Sequence, residues 1–130
     1  MKKEIIKTDQ APIPKAPYSQ AVKFQNLVYT SGTVGFDPKT GHVVQGGLKP
    51  QVKQTLDNLE AILNKANTSL GNALKVNIYL RDIKDFSAFN EVYSGYFDKE
   101  TPPARTTVEV GPFPVEEILI EIDVIAHIPK

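Results

Sequence analysis

Residues 118–128 read Ile118-Leu119-Ile120-Glu121-Ile122-Asp123-Val124-Ile125-Ala126-His127-Ile128. Side chains alternate across a strand. One face of this segment is therefore wholly apolar: Ile118, Ile120, Ile122, Val124, Ala126 and Ile128. The other mixes Leu119 and Ile125 with Glu121, Asp123 and His127. A strand this long and this regular calls for a sheet with one buried face, and the rest of the chain must supply the cover.

Two segments can. From about Pro50 to Ala66 the apolar residues are Val52, Leu56, Leu59, Ile62, Leu63 and Ala66, one stripe at helical spacing. A second helix is expected after Asp85, which is placed to cap it, with Phe86, Phe89, Val92, Tyr93, Tyr96 and Phe97 as its stripe. Strands are expected at Ala73 to Arg81, where Leu74, Val76, Ile78 and Leu80 oppose Asn77, Tyr79 and Arg81, and at Thr106 to Val110. Val22 to Phe24 and Leu27 to Thr30 flank Gln25-Asn26 as a tight hairpin. Asp37 to Gly41 reads as a turn in which Pro38 presets φ and Gly41 accepts positive φ. The order is β-β, α, β, α, β-β: an α+β fold with a mixed sheet and two helices on one face. In the strand at Thr106 to Val110, Arg105, Thr107 and Glu109 share a face, and they are expected on the mixed side with Glu121. That side is either solvated or covered by another subunit.

Composition narrows the function classes. The chain has 130 residues, with 15 Lys+Arg against 15 Asp+Glu and no cysteine. The length suits one domain, 1–130. No disulfide, thiol nucleophile or thiolate metal site is possible. Zero net charge argues against a protein that neutralises many phosphates. The basic start, Met1 to Lys7, leads into no apolar run, so a cytoplasmic protein without a membrane span is expected. No phosphate-binding glycine loop is present, and His42 and His127 stand without a metal-ligand pattern.

Three side chains stand out by chemistry. Arg105, entered through Pro102-Pro103-Ala104, carries a fork that suits a carboxylate. Glu121 is the first candidate acid or base, and Asp123, two residues on, shares its face. Tyr18 lies in an irregular segment from which a phenol can reach a cleft. Pattern alone leaves an ion-paired surface arginine and a solvated carboxylate open as alternatives.

At these residues the chain resembles the reactive intermediate deaminases, the family of RidA- and YjgF-like enamine and imine deaminases. The resemblance rests on Ala16-Pro17-Tyr18-Ser19-Gln20-Ala21, Tyr29-Thr30-Ser31-Gly32, Gln54 to Leu59, Phe89-Asn90-Glu91-Val92-Tyr93, Pro103 to Val110, and Ile120 to Ala126. It implies a chorismate-mutase-like fold and a homotrimer with clefts between subunits. It also implies hydrolysis of 2-imino acids, formed from enamines such as 2-aminoacrylate, to 2-keto acids and ammonia without a cofactor. It carries Arg105 over as carboxylate clamp, Glu121 as the residue that positions water or relays protons, Gly32 as a backbone contact and Tyr18 as a cleft wall. Thr107 stands among the substrate-binding positions where many relatives have cysteine, so thiol chemistry there is excluded. Further departures are Thr33 after Ser31-Gly32, where glutamine is common, and Gly111-Pro112-Phe113-Pro114 with a slightly longer run to Glu121. A keto-acid-binding module without turnover and an RNA-directed role are the competing expectations.

Overall fold

A computed structural model describes residues 2–130. Its centre is the strand that decides the fold. Six strands form one sheet: β1 (Glu4–Ile6), β2 (Ala21–Phe24), β3 (Leu27–Thr30), β4 (Ala73–Leu80), β5 (Ala104–Glu109) and β6 (Ile120–His127), in the order β1-β2-β3-β6-β4-β5. β6 is last in the chain yet sits in the middle, antiparallel to both β3 and β4. Its inward residues Ile120, Ile122, Val124 and Ala126 are at most 1% exposed. Burying each large one contributes about 1.5–3 kcal/mol.

Both helices, α1 (Leu48–Lys65) and α2 (Phe86–Tyr93), cover that face. α1 buries the whole expected stripe, from Val52 to Ala66. It starts two residues before Pro50, because Gly47, at φ 87°, turns the chain into it. Pro50 is harmless in the first turn, where its missing N–H would have no partner. The stripe is wider than the apolar pattern: Gln51, Thr55 and Asn58 are buried too. α2 links β4 to the parallel strand β5, a β-α-β crossover.

Four expectations shift at element ends. Asp85 does not cap α2. A 3-10 turn (Ile83–Asp85) precedes the helix, and the capping carboxylate is that of Asp82, which accepts from the Lys84 amide at 2.9 Å. α2 stops at Tyr93, short of Tyr96 and Phe97, although both still pack on the core. β1 was not expected; its three residues pair with β2. Leu74, expected inside, is 47% exposed because the register between β4 and β6 slips between Ala73 and Lys75. The Gln25-Asn26 hairpin and the Gly41 turn stand as expected, with Gln25 at φ 56° and Gly41 at φ 76°.

The largest change concerns β5. It is the edge strand and pairs with β4, so β4 separates it from β6. The parallel register sets Val76 beside Arg105 and Ile78 beside Thr107. Arg105 and Thr107 thus lie on the helix side, and Thr106 and Val108 join Asn77 and Tyr79 on the open side. The expectation that Arg105, Thr107 and Glu109 share a face with Glu121 is wrong. Alternation tells which residues travel together, whereas register and the overlying helix tell which side they take.

Candidate active site

The open half of the site is built where β3 ends. Thr33 exchanges two backbone hydrogen bonds with Ile122, at 2.8 and 2.9 Å. That bridge holds Ser31-Gly32-Thr33 beside β6. Ser31 in turn donates its hydroxyl to the Ser19 carbonyl at 2.5 Å, and its amide to Gln20, which ties in the Tyr18 segment. Gly32 then lies directly under Glu121. A Cβ at position 32 would stand 2.4 Å from the Glu121 Oε2 atom, so only glycine permits this approach. Tyr18 and Gly32 line one cleft together with Pro12, Pro14 and Phe36. Glu121 lines a neighbouring one with Tyr79 and the Val110–Phe113 loop.

Glu121 and Asp123, equivalent in the sequence, are told apart by their partners. Asp123 accepts from the Asn77 amide at 2.8 Å and the Tyr79 hydroxyl at 2.9 Å. Among the described residues no donor is directed at the Glu121 carboxylate. Burial, with the Asp123 charge adding to it, raises its pKa above the ordinary carboxylate value. A carboxyl group that is unengaged and holds its proton more tightly suits acid-base work.

The other half lies on the helix side. The Arg105 guanidinium sits over the rings of Phe86, Phe89 and Tyr93, with its carbon 5.5, 5.7 and 5.0 Å from their centroids. Its Nη1 donates to Asn90 Oδ1 at 2.8 Å. One face of α2 thus supplies both an aromatic bed and an orienting amide, and most of the guanidinium's donors stay available. The sequence pattern alone marks neither Asn90 nor the aromatic bed, although Phe89-Asn90-Glu91-Val92-Tyr93 carries part of the family resemblance. Spacing of Phe86, Phe89 and Tyr93 on one helical stripe was the signal, and it read as core.

Within one chain, then, Gly32 stands against Glu121 and shares a cleft with Tyr18, while Arg105 and Thr107 share the other side of β5. The two groups lie on opposite faces of the sheet.

The family model described as endoribonuclease L-PSP matches residues 8–128. A RutC family protein of Pyrococcus horikoshii is 48% identical over 96% of this chain and 98% of its own length. The chain belongs to the RutC family. Also similar is the chloroplastic Reactive Intermediate Deaminase A of Arabidopsis thaliana, 40% identical over 97% of this chain and 66% of that protein. Among solved structures, Escherichia coli TdcF with bound serine superposes with a TM-score of 0.87 at 34% identity, covering 95% of this chain and 98% of that one. As a RutC family member the chain has the chorismate-mutase-like α+β fold that the motifs implied. No helix among its described residues is long and apolar enough to cross a membrane.

Proposed function

We propose that this RutC family chain hydrolyses small 2-imino acids to 2-keto acids and ammonia. The observation that carries the reading is the Arg105 guanidinium, bedded on three rings and turned by Asn90 so that its fork is ready for a carboxylate. Two relatives lend support: one is named a reactive intermediate deaminase, and another was solved with serine, itself a small amino acid carboxylate.

The chemistry follows from the parts. Water adds to the C=N carbon, the nitrogen takes protons, and the C–N bond breaks to give a keto group and ammonia. Arg105 binds the carboxylate and fixes the carbon in place. Glu121 takes a proton from the attacking water and returns it to the departing nitrogen. The Gly32 backbone and Tyr18 bound the cleft. Thr107 lies on the arginine side, among the substrate-binding positions that the resemblance implies. Because Arg105 and Glu121 lie on opposite faces of one sheet, the reading requires Arg105 of one subunit to meet Glu121 of the partner subunit. The edge position of β5 suits this, and a homotrimer with clefts between subunits satisfies it.

The test couples purified protein to a threonine dehydratase and follows trapping of the released imine by semicarbazide. Faster imine loss than in a protein-free control is expected, and its absence overturns the reading. Arg105→Ala is expected to reduce kcat/KM by about a hundredfold or more, in line with loss of a doubly hydrogen-bonded charge pair. Binding of 2-ketobutanoate without turnover would replace the deaminase with a keto-acid-binding module.

A further inference from the structure

Glu121 lines a cleft of about 330 Å³. That volume is at the small end of the range for small-molecule sites. The other walls are Tyr79 and the loop from Val110 to Pro114. The register between β4 and β6 sets Tyr79 directly beside Glu121. Its phenol does not turn to that neighbour: the single donor hydrogen goes to Asp123 at 2.9 Å. What Tyr79 leaves for the cleft is a ring. Among the described residues that line the cleft there is no lysine or arginine, and Glu121 supplies the only carboxyl group.

The loop is a fixed wall. At its start the Val110 amide donates to the Leu80 carbonyl at 2.9 Å, and just past it the Ile118 amide donates to the Val115 carbonyl at 3.2 Å. Arg81 holds the Glu116 carbonyl and Gln51 the Glu117 carbonyl. Between these ties Pro112 and Pro114 lock their own φ and bias Gly111 and Phe113, the residues before them, toward extended backbone. Phe113 is half-buried at the cleft. An aromatic ring on a rigid support, next to one carboxyl group, is the composition of a pocket that holds an apolar group near reacting atoms.

We infer that Phe113, with Tyr79 in the same cleft, receives the substrate's side chain and selects 2-imino acids with larger apolar side chains over small ones. This inference rests on the deaminase reading and deepens it to a substrate class. The imine carbon carries three substituents. The carboxylate goes to the arginine, the nitrogen faces Glu121, and the side chain then lies along the wall that Glu121 shares. The cleft at Gly32 is far smaller, about 60 Å³. The one beyond Tyr18, walled by Phe36 and Pro38, touches neither Gly32 nor Glu121. Apolar surface removed from water against Phe113 supplies the preference.

The test generates two imines in place with a D-amino-acid oxidase, one from D-leucine and one from D-alanine, and follows their loss by semicarbazide trapping in the presence of the full-length protein. The parent is expected to show a kcat/KM at least about tenfold higher for the leucine-derived imine, the low end of what a hydrophobic pocket gains from added carbon. Phe113→Ala and Phe113→Asn are each expected to lower that ratio about tenfold, whereas Phe113→Leu and Phe36→Ala keep it within about twofold of the parent's. Both rates come from one preparation, so any loss of folded protein cancels from the ratio. Equal efficiency toward the two imines in the parent overturns this inference and leaves the deaminase standing. So does a ratio that survives in Phe113→Ala and Phe113→Asn, and so does one that falls as far in Phe36→Ala, which would put the side chain beyond Tyr18. No turnover of either imine overturns the deaminase reading and this inference with it.

Discussion

Glu121 shows how one side chain is set apart from a twin two residues away. Asp123 is held by Asn77 and Tyr79, whereas Glu121 leans over Gly32 with its oxygens unengaged. Its raised pKa carries a sign for stability. The neutral form is favoured in the fold, so the contribution is fully present below the ordinary glutamate value. It is lost as pH rises from there through the folded-state value. Glu121→Gln is therefore expected to unfold at a higher temperature than the parent at pH 7.5, and at the same temperature at pH 3.5; an equal difference at both pH values would refute the buried-carboxyl account. Gly32→Ala tests the close approach. The new methyl collides with the far end of the Glu121 side chain, which can swing away, so the fold should hold to within about 1 kcal/mol. The displaced carboxylate should lower kcat in the coupled imine assay by about tenfold or more, the range for misplacing a general acid-base group. A protein as active as the parent would detach Glu121 from the chemistry.

At the scale of elements, α1 holds the site through two buried polar side chains, Asn58 and Gln51, as well as its apolar stripe. Asn58, 1% exposed, donates to the Val34 and Phe36 carbonyls at 3.0 and 2.9 Å and accepts from Gln54. Gln51 clasps the Glu117 carbonyl and the Leu119 amide just before β6 begins. Thr55 returns its hydroxyl to the Gln51 carbonyl on the preceding turn. The segments on either side of Gly32 and Glu121 are thus fastened to one helix. Asn58→Leu strands two carbonyls and is expected to cost about 2–4 kcal/mol in urea unfolding; a loss under 1 kcal/mol would show that water replaces the amide. The same elements mark what the sequence could tell. Stripes on α1 and β6 were legible because each is long, regular and covered on one side. The Gly32–Glu121 contact was not, since it depends on the Thr33–Ile122 bridge between strands far apart in the chain. Arg105 stood out in the sequence as a candidate clamp by its residue type and motif. Its side of the sheet was not, because β5 is a short edge strand whose alternation fits either face until the parallel register with β4 chooses. Tyr93 and Phe89 read as core, which they are, and their second use beneath a cation leaves no separate mark in the pattern.

At the scale of the whole molecule, the sheet divides the chemistry. The open face presents Tyr29, Val108 and Leu74, between 41% and 47% exposed, alongside the Asp123 cluster and a Lys75–Thr106 hydrogen bond of 2.7 Å. Apolar side chains among satisfied polar ones are the mixture expected of a surface between subunits. Arg105 and Glu121 lie on opposite faces, so the proposed deaminase requires them from different copies. This has a quantitative consequence. Arg105→Ala and Glu121→Gln should each be inactive alone. Coexpressed in equal amounts and assembled at random, they place an intact arginine opposite an intact glutamate at about one interface in four, one half multiplied by one half. The purified mixture is therefore expected to recover about a quarter of parental activity in the coupled imine assay. Mixing the two homogeneous proteins without subunit exchange should recover none. Sites drawn wholly from one chain would give no recovery in either case, because every chain then carries one damaged group. Recovery near a quarter thus tests the division of the site between subunits directly, without a ligand-bound structure.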